Sequence, residues 1–233
     1  MTVPTAPGRR LTGLVFYFLI GAWAFWVWNA PIDSVQGVIQ KILYIHPPLA
    51  FGAYLGFGCT AFFGALYLWS GKDRWDRWAL SSAEVGVLLC TLMLLTGPIW
   101  AKGTWGKWWS WDLRLTITLL QYLVYMAYLL LRSFTEGSER GARFAAVYGI
   151  VGVVLIPLNY FAVRLAEGRA IHPENLGNGS LGDGMGMPFL LGVLVVLASF
   201  AYLVVRRYEV ACLRDEAARR AVEADAGGNA WAT

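Results

Sequence analysis

Only two histidines occur in the 233 residues of this chain, His46 and His172. An imidazole offers a lone pair to a metal, or a proton that titrates near neutral pH. His46 stands in Tyr44-Ile45-His46-Pro47-Pro48. Two prolines suit the first turn of a helix, where their missing N–H groups cost little, so His46 is expected one residue before a helix begins. His172 stands in the segment Arg164–Gly186, with Arg169, Glu174 and the glycines Gly177, Gly179, Gly182, Gly184 and Gly186. Between the two histidines lies Ile99–Arg114, which carries Trp100, Lys102, Trp105, Lys107, Trp108, Trp109, Trp111, Asp112 and Arg114.

Indoles gather at membrane interfaces, which accounts for Trp23, Trp26 and Trp28 and for Trp69, Trp75 and Trp78. The five tryptophans from Trp100 to Trp111 are too dense for that account, and the adjacent Trp108 and Trp109 point in different directions. They read as a shelf for a large, flat, apolar ligand with a few polar substituents, since an indole supplies apolar area and one N–H donor. Two imidazoles in the flanking segments then point to one metal approached from opposite faces of a planar macrocycle. Iron in a porphyrin takes such axial ligands. Zinc fits poorly, because a structural site wants four ligands and neither Cys nor a third His lies in these segments. The carboxylates of haem need cationic or N–H partners; Arg114, Lys41, Lys102, Lys107 and Arg169 are the candidates. Asp112 is placed to cap the following helix, or to orient an indole or a basic group, and the two roles are compatible.

The elements that position these residues follow from composition. The chain is 58% hydrophobic and 15% charged, with mean hydropathy +0.52, whereas soluble domains carry about 25% charge. Disorder, a basic nucleic-acid module and an ordinary soluble enzyme are poor readings. A net charge of +4 suits loops that orient a membrane protein rather than a nucleic-acid surface. Six apolar runs approach the ~20 residues that cross a bilayer: 11–28, 48–69, 79–98, 115–131, 144–163 and 187–205. None holds an internal Lys or Arg, and Glu84 is the one acid within a run, read as an interfacial carboxylate. Thirteen of the nineteen basic residues fall on the side shared by the termini, which places both termini in the cytoplasm. The first run is too long for a signal-peptide core and lacks a cleavage-like end, so it is read as a retained span. The expected fold is an all-α integral membrane protein: one domain, 1–233, with six transmembrane helices and a Trp-rich loop at the outer surface. Residues 206–233 form a cytoplasmic tail that continues the last helix. Pro157 is read as a tolerated kink. The three cysteines, Cys59, Cys90 and Cys212, make no Cys-x-x-Cys pair, so thiol–disulfide exchange is not expected.

The stretch Trp105-Gly106-Lys107-Trp108-Trp109-Ser110-Trp111-Asp112-Leu113-Arg114-Leu115-Thr116 resembles the WWD signature, W-G-x-x-W-x-W-D, of the haem-handling superfamily of cytochrome c biogenesis. Chain length, six spans and the two flanking histidines are similar to the CcmC family. The first-loop stretches Asp33-x-x-Gln36-Gly37 and Lys41-Ile42-Leu43-Tyr44-Ile45-His46 also look like that family, and the likeness covers roughly residues 11–205. The resemblance implies a transport protein, not an enzyme, that holds haem b at the outer face of the cell inner membrane. It implies His46 and His172 as axial ligands, a shelf of Trp105, Trp108, Trp109, Trp111 and Asp112, and first-loop helpers Asp33, Gln36 and Lys41. The implied partners are the haem chaperone CcmE, the transporter subunits CcmA and CcmB, the small membrane protein CcmD and membrane lipid, with no nucleic acid. Three departures stand out: Pro47 where Val is common, Lys41 where Arg is usual, and no Trp pair within Arg164–Ile171. A haem lyase-type enzyme shares the WWD signature and is the first alternative. A quinol-linked cytochrome b-like anchor is the second, although such anchors usually set their histidines inside helices.

Overall fold

The computed structural model describes residues 6–135, 137–166, 168–173 and 181–229. Glu136, Glu174, Gly177 and Gly179 lie outside the described residues. Seven α-helices are present among the described residues: α1 (Ala6–Asn29), α2 (His46–Ser70), α3 (Asp73–Trp105), α4 (Leu113–Phe134), α5 (Glu139–Gly152), α6 (Leu155–Leu165) and α7 (Gly186–Asn229). A short 3-10 helix, Val38–Tyr44, leads into α2. Among the described residues there is no β-sheet, only one isolated bridge between Asp33 and Gly37.

Five segments are long and apolar enough to cross a membrane: Val38–Ser70, Asp73–Trp105, Leu113–Phe134, Glu139–Leu165 and Gly186–Ala221. Gly13–Asn29 is a shorter apolar stretch within α1. The chain is a helical membrane protein. Each of the six apolar runs falls within a helix, except that the fifth is divided between α5 and α6. Pro157 explains the division. It has no N–H to donate and its ring crowds the carbonyl four residues earlier, that of Val153. The chain tightens there, with Ile156 N donating to Val153 O at 3.0 Å. The Tyr125 hydroxyl, fully buried, reaches Gly149 O at 3.1 Å and supplies a partner near the break.

Two boundaries differ from expectation, and both matter for the site. His46 is the first residue of α2 rather than a loop residue before it, with Ile45 as the flanking cap. Helix α3 does not stop at Pro98 but runs through Ile99 and Trp100 to Trp105. A proline in a helix interior removes one hydrogen bond without ending the helix where neighbouring helices hold it. The helix ends instead at Gly106, whose φ of 73° closes the last turn by donating its N–H to Lys102 O. Trp100 and Trp105 therefore project from a helix, and the irregular Trp segment is reduced to residues 106–112.

The scaffold is organised around α2 and α3. A Cβ on Gly56 would lie 2.6 Å from Gly86 Cα, so only glycine permits this approach of the two backbones. Phe57 of α2 stacks on Tyr125 of α4, with centroids 3.8 Å apart, inside a core that also holds Leu49, Val85, Leu89, Met93, Val196 and Phe200. Helix α7 is drawn against the 3-10 helix at Gly192, where a Cβ would lie 2.1 Å from Tyr44 O. At the end of the bundle opposite His46, Arg132 pairs with Asp76 and Arg77 with Asp215, each at 2.7 Å. Glu84, expected as an interfacial carboxylate, pairs with Arg207 of α7. Trp78 stacks on Tyr208, and Trp75 on Phe63, so these indoles pack between helices as well as lying near their ends.

Candidate functional site

The His46 ring is seated by one face of α3. Its Nδ1 lies 3.1 Å from Thr96 Oγ1. A Cβ on Gly97 would lie 3.0 Å from His46 Cε1, so the ring rests against bare backbone. Trp100 closes the seat edge-on, with centroids 5.8 Å apart and planes at 78°. Positions 96, 97 and 100 share a helix face because residues four apart are neighbours on it. Trp100 is tied in turn to the first loop: its Nε1 donates to Gln36 Oε1 at 2.8 Å. Asp33 builds that loop, its Oδ1 accepting from Val35 N at 2.8 Å and Gln36 N at 2.7 Å. Those two amide bonds, Gln36 first, hold the Asp33 carboxyl below the usual carboxylate range. Gly37 completes the turn at φ 63°, a conformation that glycine adopts without strain.

His172 is held differently. Asp112 Oδ1 accepts from Leu115 N at 2.9 Å and so caps α4, while its Oδ2 accepts from His172 N at 3.0 Å. Capping and orientation are thus combined in one carboxylate, although what it orients is the backbone of His172 rather than an indole. His172 Nδ1 lies 2.9 Å from Pro173 O. A carbonyl only accepts, so Nδ1 carries the proton and Nε2 keeps the lone pair. Arg114 Nη1 donates to the same carbonyl at 3.2 Å, and its 3.3 Å approach to His172 Nδ1 follows from the two donors sharing one acceptor. Trp105 meets the ring edge-on at 6.3 Å. Burial lowers the His172 pKa from its ordinary value; Arg114 acts in the same direction, against the Pro173 carbonyl and Asp112.

Beneath Arg114 runs a buried polar chain. Tyr54 OH donates to Asn159 Oδ1 at 2.8 Å, and Asn159 Nδ2 reaches Thr118 Oγ1 at 2.7 Å and Arg114 O at 3.2 Å. Asn159 is fully buried. It locks α2, α4 and α6 together directly below the residues that hold His172.

His46 lies within electrostatic reach of both His172 and Arg114. The structure therefore brings together His46, Trp100, Trp105, Asp112, Arg114 and His172. Trp108 and Trp111, in the segment between Trp105 and Asp112, are 60% and 74% exposed. Trp109 packs edge-on against Trp111 at 5.8 Å. Trp109 Nε1 and Ser110 Oγ are buried without a hydrogen-bond partner. Buried donors left this way mark places where a ligand group or water is expected. Of the first-loop residues, Gln36 reaches the site through Trp100, and Asp33 acts through the turn. Lys41 Nζ donates to Trp28 O at 2.9 Å, and Lys102 Nζ to Gly106 O at 3.0 Å. Lys107 and Arg169 are exposed. Sequence reasoning missed Thr96, Gly97, Tyr54 and the role of Asn159. Gly97-Pro98 was the one local signal, a glycine where a helix would otherwise carry a side chain.

Largely apolar helices, with two histidines and a tryptophan loop gathered at one end, define a polytopic helical membrane protein. Comparison with known proteins places it more narrowly. The family described as Heme exporter protein C, CcmC, matches residues 7–223, and the chain belongs to that family. The Heme exporter protein C of Haemophilus influenzae is 32% identical over 206 residues, covering 85% of this chain and 82% of that protein. Its namesake in Bradyrhizobium diazoefficiens is 32% identical over 193 residues, covering 83% of this chain and 72% of that protein. A ccmC-like mitochondrial protein described as a cytochrome c biosynthesis protein, from Marchantia polymorpha, is 27% identical over 194 residues, covering 83% and 81%.

Proposed function

We propose that this chain handles haem for cytochrome c maturation, holding haem b between His46 and His172 and delivering it to the chaperone CcmE. The observation that carries this reading is that the two imidazoles lie within electrostatic reach of each other, while the segment leading into Asp112 holds two buried donors without a partner, Trp109 Nε1 and Ser110 Oγ. The donor set fits the cargo. When bound, haem supplies a flat apolar macrocycle, an iron that takes two axial nitrogens, and two carboxylates. His172 offers Nε2 because its Nδ1 is engaged by Pro173 O. Trp108 and Trp111 offer exposed indole faces to the macrocycle. Trp109 Nε1 and Ser110 Oγ can donate to its carboxylates, with the Arg114 guanidinium adding positive charge nearby. Asp112 does not ligate; it fixes the start of α4 and the backbone of His172 to each other.

The same reading places the ligand-holding end at the periplasmic side of the cell inner membrane and both termini in the cytoplasm, supported by the excess of basic residues on the termini side. It makes the chain one membrane domain of six spans with a helical cytoplasmic tail. It also makes the chain a carrier without a bond-making step, working beside CcmA, CcmB and CcmD in membrane lipid. The exposed tryptophan surface leaves one edge of the cargo open to the receiving chaperone.

The test is spectroscopic. Protein purified from haem-replete cells is expected to show a six-coordinate, bis-imidazole absorption spectrum. A His46→Ala, His172→Ala double variant that kept the same haem content and spectrum would sink the ligand assignment. Transfer to purified CcmE, followed by covalent haem on that chaperone, tests delivery separately.

A further inference from the structure

Helix α3 presents the Thr96 hydroxyl oxygen to one corner of the His46 ring. The Thr96 hydroxyl has a single proton, and Oγ1 lies 3.0 Å from Leu92 O and 3.1 Å from Met93 O. That is the geometry in which a helical threonine donates back to the preceding turn. With its proton so directed, Thr96 Oγ1 has only lone pairs left for His46 Nδ1 at 3.1 Å. A nitrogen facing this acceptor must carry the proton.

We propose that Thr96 is a positioning residue that fixes His46 in its Nδ1–H form, leaving Nε2 as the nitrogen that meets the metal. The proposal rests on the reading of His46 as an axial ligand and adds which nitrogen ligates and what selects it. Three features of the seat cooperate. Thr96 sets the proton, Gly97 admits the ring against the α3 backbone, and Trp100 blocks rotation from the side. An outer partner that accepts from the non-ligating nitrogen both orients the ring and raises the basicity of the ligating one. The result parallels His172, where Pro173 O holds the corresponding proton. Both imidazoles then present Nε2, one selected by a side chain of a neighbouring helix and the other by the adjoining backbone.

The experiment uses the full chain, purified in detergent with its haem, as wild type, Thr96→Val, Thr96→Ser and His46→Ala. Haem retention is read by transfer to excess apomyoglobin, the iron–imidazole bond by resonance Raman, and the midpoint potential by redox titration. Valine keeps the branched shape but cannot accept. Thr96→Val is expected to lose haem about 10- to 100-fold faster, with a weakened iron–imidazole band and a raised midpoint, while Thr96→Ser behaves as wild type. Thermal unfolding of the haem-free forms tests for a merely structural role. If Thr96→Val matches wild type in band and midpoint while His46→Ala loses six-coordination, the proposal is overturned and the haem reading stands. If His46→Ala keeps the wild-type spectrum, the ligand reading fails and takes the proposal with it. If valine prevents folding, Thr96→Ala removes the same acceptor without crowding, and the same readouts decide.

Discussion

The two histidines of this protein are held by opposite strategies. His46 opens helix α2 and leans on the packed face of α3, where a hydroxyl, a glycine and an indole define its ring. His172 sits between helices and is held by polar contacts from the start of α4, through Asp112 to its backbone and Arg114 to the next carbonyl. One imidazole is part of a helix–helix interface; the other is held mainly by the first turn of α4, with Trp105 of α3 against its ring edge. A site that must both hold and release a ligand benefits from that asymmetry. Interior helix packing opens only at a large fraction of the global unfolding cost, whereas loop contacts open more cheaply. The His172 side is therefore the side expected to open when haem leaves.

On the proposed reading, the largest effects should come from the two histidines. Either His46→Ala or His172→Ala should abolish the six-coordinate spectrum, with losses of haem retention above the about 10- to 100-fold typical of an outer partner. The two variants should differ in the haem-free protein. His46→Ala removes packing against Gly97 and Trp100 and should lower the unfolding temperature, while His172→Ala should leave it nearly unchanged. Equal thermal effects would erase the contrast drawn between the two sides.

Asp112→Ala should come next. Loss of an aspartate cap costs about 1 kcal/mol, and the same substitution frees the His172 amide. Haem retention should fall about 10-fold, with the spectrum drifting toward five-coordinate iron still bound by His46. Asp112→Asn, which keeps a capping oxygen, should retain most of the helix stability and lose more of the His172 ligation. A smaller effect is expected at Gly97→Ala. Its Cβ would press on His46 Cε1 at 3.0 Å, which a tilt of the ring relieves. A few-fold rise in haem loss with an altered iron–imidazole band, and no change in the His172 backbone, would mark the effect as confined to the helix-packed side.

What could be read from the sequence divides along the same line. The spans were legible because successive apolar runs of membrane length, free of internal Lys and Arg, are what a bilayer demands and a water-facing surface does not. The Asp112 cap was legible because capping acts within one turn, and Leu115 is near in sequence. Thr96 was not: it meets His46 only through the folding of α2 against α3, and a threonine in an apolar run carries no mark of its partner. Asn159 is fully buried between Tyr54, Thr118 and Arg114. Its meaning lies in three helices at once. The end of α3 was misplaced because Pro98 signals a boundary locally, while neighbouring helices carry the chain through it. The Lys41 contact was not legible either, since its donation to the Trp28 carbonyl joins residues thirteen apart in the chain.

The gentlest test is a titration, and it bears on the loop-held side alone. In haem-free His46→Ala, His172 is the one histidine of the natural chain that remains, so its ring protons report a single pKa. Burial, with Arg114 acting in the same direction, holds that pKa below the ordinary 6.5. The sign follows from linkage. A histidine depressed in the folded state contributes stability above its unfolded pKa, and that contribution is lost as pH falls from about 6.5 through the folded value. The midpoint should therefore lie below 6.5, and Arg114→Gln should move it upward by removing a neighbouring positive charge. Acidification in the same range should loosen the His172 side first, because protonation blocks Nε2 as a ligand. A midpoint at or above 6.5 in His46→Ala would mean that His172 is open to water, and that the α4 contacts do not hold it against the bundle.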